Sequence, residues 1–207
     1  MPSTMALTFS LAPILHTVAS SVSRLSNPVV GVSVLTSRSI SCSYVDQKTA
    51  ISKNLSYTNS NTLIMRADYT TALSSSGPGR DSVRIQSKKA YGFGVTIVNV
   101  RAMPVGCGTW PALWSNANGV TWPQGGEIDM IEGVNSQGAS NSVLHTSWNC
   151  AMDQSSMVQT GAPGNLNCTS TQNSNAGCIV QPQPSANSFG PNFNAEGGGW
   201  YAVGAQK

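Results

Sequence analysis

The residues of this chain best suited to chemistry are three acids in Gly125-Gly126-Glu127-Ile128-Asp129-Met130-Ile131-Glu132-Gly133. On a β-strand, residues two apart share a face, so Glu127 and Asp129 point the same way while Ile128 turns to the core. Glu132 would fall on the opposite, buried face of a regular strand, where a lone carboxylate is costly. A single β-bulge at Met130-Ile131 restores the parity and puts all three acids on one surface. Three such carboxylates repel, and residues 102–206 contain no Lys or Arg to neutralise them. Repulsion is expected to raise at least one pKa and leave a protonated acid beside an ionised one. That is the arrangement glycoside hydrolysis requires. In its retaining form one carboxylate attacks the anomeric carbon and the other protonates the leaving oxygen, their carboxyl groups about 5–5.5 Å apart. With steps of about 3.3 Å along a strand, the two glutamates would have to lean toward each other over Asp129.

A solvated acidic strand face and a calcium or magnesium site are the competing explanations for such a triplet. Two features weigh against them. The acids alternate with Ile128, Met130 and Ile131, which anchors the strand in a core. Trp110, Trp114 and Trp122 crowd the approach to it, among Pro111, Pro123 and glycine-rich turns. Indole faces stack on the apolar faces of sugar rings while polar neighbours take the hydroxyls. Trp110, between Thr109 and Pro111, reads as core, whereas Trp122 in a Pro/Gly loop reads as exposed.

Composition narrows the setting. Charged residues make up 9% of the 207 residues and apolar ones 40%, against about 25% charged in an average soluble domain. Gly, Ser, Asn and Thr fill the gap, a neutral-polar surface suited to an extracellular protein that meets hydroxyl-rich partners. Residues 1–101 hold ten of the eleven Lys/Arg and three of the eight acids, but the basic residues are scattered. Nucleic-acid binding calls for a basic stripe or patch, so it is not expected. The apolar run in Met5–Leu15 is interrupted by Thr8, Ser10 and Pro13 and is too short to span a membrane as a helix. It suits a signal-peptide core, with small residues for cleavage at Val18-Ala19-Ser20, although no Lys or Arg precedes it. Cysteines stand at 42, 107, 150, 168 and 178 without a Cys-x-x-Cys pair, and His16 and His145 lie far from any pair, so no structural zinc is expected. The four between 107 and 178 fit disulfide staples, with three connectivities open and Cys42 left over. Sequons at Asn54-Leu55-Ser56 and Asn167-Cys168-Thr169 also fit a secretory route.

Residues 1–43 are set aside as a leader and an atypical N-terminal segment, and the domain is taken as residues 44–207. Within it, Asp46–Ala50 has room for one helical turn, and no later stretch sustains a helical apolar period. Short β-like runs follow at Thr62–Ala67, Ser82–Ser87, Gly94–Arg101, Gly126–Glu132, Ser142–Ser147 and Gly199–Val203, separated by Gly/Pro/Ser/Asn clusters. Many short strands with turn punctuation predict an all-β antiparallel sandwich or barrel.

The segment Trp122-Pro123-Gln124-Gly125-Gly126-Glu127-Ile128-Asp129-Met130-Ile131-Glu132-Gly133-Val134-Asn135 resembles the active-site segment of glycoside hydrolase family 16, in its fungal endo-1,3(4)-β-glucanase (laminarinase-like) branch. Gly106-Cys107-Gly108-Thr109-Trp110-Pro111-Ala112, Ser82-Val83-Arg84-Ile85, Leu144-His145-Thr146, Asn149-Cys150-Ala151-Met152 and Gly197-Gly198-Gly199-Trp200-Tyr201 resemble the same branch in the same order. The resemblance implies a concanavalin A-like β-jelly-roll sandwich with a cleft across its concave face. It implies Glu127 as nucleophile, Glu132 as general acid/base and Asp129 as hydrogen-bond partner of the nucleophile. Arg84, Trp114, Trp122 and His145 match positions that line the cleft, with a structural histidine as the alternative for His145. The implied reaction is internal, retaining hydrolysis of β-1,3(4)-glucan by a secreted monomer, without cofactor, metal, nucleic acid or membrane. A non-catalytic glucan-binding protein and a transglycosylase are the alternatives on the same fold. Members of this branch continue well beyond the Gly-Gly-Gly-Trp-Tyr segment, so the jelly roll is expected to be incomplete in this chain, with strand edges left unpaired and activity placed in question.

Overall fold

The structure, a computed structural model of the chain, describes residues 5–11, 18–21, 42–59, 61–74, 76–87, 90–183 and 186–206. Its strands are β1 (Met5–Leu11), β2 (Val18–Ser21), β3 (Cys42–Tyr44), β4 (Ser56–Asn59), β5 (Thr62–Met65), β6 (Arg80–Gln86), β7 (Gly94–Val100), β8 (Ala112–Ala117), β9 (Glu127–Glu132), β10 (Asn141–His145), β11 (Ala162–Pro163), β12 (Cys178–Gln181) and β13 (Gly199–Ala205). Among the described residues the short α-helices α1 (Gln47–Ser52) and α2 (Gly190–Ala195) interrupt them. One sheet runs β11-β12-β10-β9-β8-β1-β6-β3 and the other β13-β7-β2-β5-β4. All ladders are antiparallel except β3 with β6. This is the expected all-β jelly-roll sandwich, and the strand that carries the acids lies inside its larger sheet.

Alternating side chains weld the sheets together. Val98 and Val100 of β7 meet Leu113 of β8 and Met130 and Ile131 of β9, with Phe189 and Phe193 from the α2 region closing the cluster. A second cluster joins Met65 of β5 to Val83 and Ile85 of β6, with Ala50 and Leu55 beside them. Asp46 caps α1 by accepting a hydrogen bond from the Thr49 amide at 2.7 Å, the expected helical turn with a side-chain N-cap.

The N-terminal stretch set aside as a leader contributes to both sheets. Its β1 pairs with β6 and β8, and its β2 pairs with β5 and β7. Thr8 and Ser10, which make Met5–Leu11 a poor spanning helix, also give it the period-two pattern of a strand. A second departure is β8, which sequence patterning passed over. Its burial leaves Leu113, Trp114, Ser115 and Ala117 all covered, so the polar-apolar alternation of a half-exposed strand is absent. Among the described residues the disulfide Cys168–Cys178 is formed, while Cys107 and Cys150 are exposed free thiols, so two pairs among these four are not realised. Cys168–Cys178 ties the segment before β12 to its first residue. Among the described residues no helix is long and apolar enough to cross a membrane.

Candidate active site

Glycine geometry presents the acidic strand. Gly125 and Gly126 adopt φ of 81° and 80° to turn into β9, and a Cβ on Gly125 would lie 2.3 Å from that of Ala117. After the strand, a Cβ on Gly133 would lie 2.5 Å from the ring of Phe189. Between these glycines the bulge required by parity is present. Leu113 pairs with Ile131 and Trp114 with Asp129, leaving Met130 as the extra residue on β9. The other neighbour shows the same slip, Asn141 pairing with Glu132 and Val143 with Asp129. Ile128 packs against the core cluster that contains Met130 and Ile131, while Glu127, Asp129 and Glu132 turn to the other face.

His145 of β10 unites that face. It is the direct cross-strand partner of Glu127, its Nε2 stands 3.4 Å from Asp129 Oδ2, and its imidazole feels all three carboxylates. Its pKa is raised, chiefly by the interaction with Asp129. Each glutamate also receives one indole N–H: Trp122 Nε1 donates to Glu127 Oε2, and Trp110 Nε1 donates to Glu132 Oε1 at 2.8 Å. Trp122 also leans its ring toward His145, centroids 6.2 Å apart.

Burial dominates the electrostatics. It pushes the Glu127 carboxyl up to about 7, with Asp129 adding to the rise and His145 and the Trp122 N–H opposing it. Burial likewise raises Glu132, again with help from Asp129 and opposition from the Trp110 N–H. Both rises therefore come first from desolvation, and the repulsion anticipated from the sequence is the second cause.

Arg84 on β6 places its guanidinium 4.4 Å from the Trp114 ring centre, and its charge reaches Glu127. Trp114 is only 9% exposed, so it holds the arginine rather than offering a free ring face. Trp110 and Trp122, at 39% and 41% exposure, are the open indoles beside the acids. Trp110 thus belongs to the site, where the sequence suggested core. Its signal was parity: it lies two residues before Ala112, the cross-strand partner of Glu132, a relation invisible until the register is known. Glu127, Asp129 and His145 also offer three ligand atoms within 4.8 Å of one another, the set of this site that could hold a metal ion.

A family model described as the XgeA-like catalytic domain of glycoside hydrolase family 16 matches residues 41–207. The chain belongs to glycoside hydrolase family 16. Among family members, a probable endo-1,3(4)-β-glucanase of Aspergillus clavatus is 44% identical over 166 residues, 77% of this chain and 24% of the relative. A probable glycosidase of Schizosaccharomyces pombe is 43% identical over 163 residues, covering 77% of this chain and 37% of its own length. Laminarinase 16A of Phanerochaete chrysosporium, solved with 6-O-glucosyl-laminaritriose in donor and acceptor sites, is 45% identical with a TM-score of 0.76, covering 96% of this chain and 64% of that one. An elongating family 16 β-1,3-glucosyltransferase is 37% identical with a TM-score of 0.71, covering 81% and 55%. The chain thus spans about a quarter of the A. clavatus relative and just under two thirds of the laminarinase.

Proposed function

We propose that this domain cleaves internal bonds of β-1,3(4)-glucans with retention of configuration. The observation that carries the reading is the bulged strand β9, which brings Glu127 and Glu132 to one face, each held by its own indole N–H with Asp129 and His145 between them. The family and the names of its relatives support the substrate class.

Glu127 attacks as a carboxylate. Its carboxyl, raised to about 7, is ionised above that value. Glu127 then bonds to the anomeric carbon as Glu132 gives its proton to the departing glycosidic oxygen. In the second half, Glu132 takes a proton from water, whose oxygen attacks the same carbon and releases Glu127. Two inversions leave the configuration retained. Trp122 and Trp110 present indole faces for sugar rings, and Arg84 supplies N–H donors for hydroxyls. A monomer acting outside the cell is the setting that suits the low surface charge and the Cys168–Cys178 disulfide.

The test is laminarin or lichenan hydrolysis, with product length followed by chromatography and the first-formed anomer by proton NMR. The expected products are β-anomeric oligosaccharides from internal cuts, with turnover lost in Glu127→Gln. Inverted products, or full turnover by that variant, overturn the assignment. The glucosyltransferase relative supports a second reading, in which a sugar hydroxyl replaces water in the second half. Products longer than the substrate would select it.

A further inference from the structure

We infer that Asn116 is a specificity-determining residue of this cleft, its side-chain amide receiving a hydroxyl of the sugar ring seated beside Glu127 on the β8 side. The inference rests on the glucanase reading and adds to it a residue outside the acidic motif. Asn116 is the direct partner of Glu127 across the β8–β9 ladder. Direct partners project from the same face with Cβ atoms about 5 Å apart. With His145 on the other flank, the nucleophile sits in a row of three cross-strand neighbours, Asn116–Glu127–His145. One turn of the pleat away on β8, Trp114 carries Arg84 on the same cleft face.

The Asn116 amide has an unmet need. Its Oδ1 is buried and accepts no hydrogen bond from the described residues. The backbone amides beside it are committed elsewhere, the Gly126 N–H to Pro123 and the Ala117 N–H to Gly126. A buried acceptor without a donor weakens the fold, and Asn is itself a poor strand former. A polar residue that is unfavourable both for the strand and for its burial is what a ligand-facing position looks like. Arg84 Nε and His145 Nδ1 are unpaired and buried on the same face. A glucose ring over Glu127 answers the need directly, because each hydroxyl offers a rotatable donor and accepts in return.

Three measurements on Asn116→Leu and Asn116→Asp test this. In thermal unfolding without sugar, Asn116→Leu is expected to match or exceed the wild type, since it removes an unpaired acceptor at similar volume; a drop of several degrees would mean a structural role and overturn the inference. In titration with laminari-oligosaccharides, Asn116→Leu is expected to bind about threefold to tenfold more weakly, the range for one neutral hydrogen bond, with KM rising more than kcat falls. Asn116→Asp keeps an acceptor and is expected to bind better than Asn116→Leu. Its new charge beside Glu127 should also move the acidic limb of the rate profile to higher pH. An unmoved limb means the side chain does not neighbour the nucleophile and overturns the placement. If the wild type binds these sugars and Asn116→Leu binds them equally well, the inference alone fails. If the wild type binds no β-glucan, the glucanase reading fails and takes the inference with it.

Discussion

Replacing Glu127 by Gln is expected to stabilise the folded domain at neutral pH while changing it little in acid. The Glu127 carboxyl is pushed from 4.5 to about 7, first by burial and then by Asp129. Between those values the folded state holds a proton that the unfolded chain releases, so stability falls as pH rises through the window. At about 1.4 kcal/mol per pH unit the full window corresponds to about 3 kcal/mol. His145, raised as well, interacts with Glu127 and carries part of that penalty, so the expected gain for the variant is about 2 kcal/mol above the window and close to zero below it. Gln keeps an oxygen for the Trp122 N–H, which makes the substitution isosteric at its main contact. A domain of this size shifts by about 2–4 °C per kcal/mol, so the two melting temperatures should diverge by about 4–8 °C as the pH is raised. Glu132 and His145, both raised, keep part of the downward slope in the variant. Thermal unfolding followed by circular dichroism across the acid-to-neutral range reads this directly. A difference that stayed constant with pH, or a variant less stable than the wild type at neutral pH, would refute burial as the origin of the shift.

Four further outcomes are expected. Trp122→Phe removes the N–H that lowers the Glu127 pKa and should move the acidic limb of laminarin hydrolysis to higher pH, whereas Trp110→Phe, acting on Glu132, should move the alkaline limb upward; profiles displaced in the opposite sense would contradict these pairings. Gly133→Ala forces a Cβ onto the fully buried Phe189 ring and should cost about 1–3 kcal/mol in urea unfolding, as overpacked cores do. Replacing Cys168 and Cys178 together by Ser opens a short loop and should cost about 3 kcal/mol by loop entropy, measured the same way under oxidising conditions. Expression through a secretory host should place an N-glycan on Asn54, which is exposed, and not on Asn167, whose Nδ2 donates to Gln172 and whose Oδ1 accepts from Thr169; loss of the glycosidase-sensitive mass in Asn54→Gln checks it.

Local order along the chain carried a large part of this architecture. Short β-like runs marked β5, β6, β7, β9, β10 and β13, and the five-residue spacing of Glu127 and Glu132 demanded the bulge found at Met130, because a strand can place both acids on one face only by absorbing an extra residue. β8 was not legible, since a strand buried on both faces loses its period. β1 was not legible either, because an apolar run with interspersed hydroxyls serves a leader and a strand equally well. The tertiary structure alone decided the partners across strands: that Trp110 reaches Glu132, that Trp114 lies under Arg84, and that Asn116 flanks Glu127. Those pairings depend on register between segments distant in sequence, which no local pattern encodes. The sequence by itself thus determined that three acids share one bulged strand, and the packing of the two sheets determined their burial, and with it the raised pKa of Glu127 and Glu132.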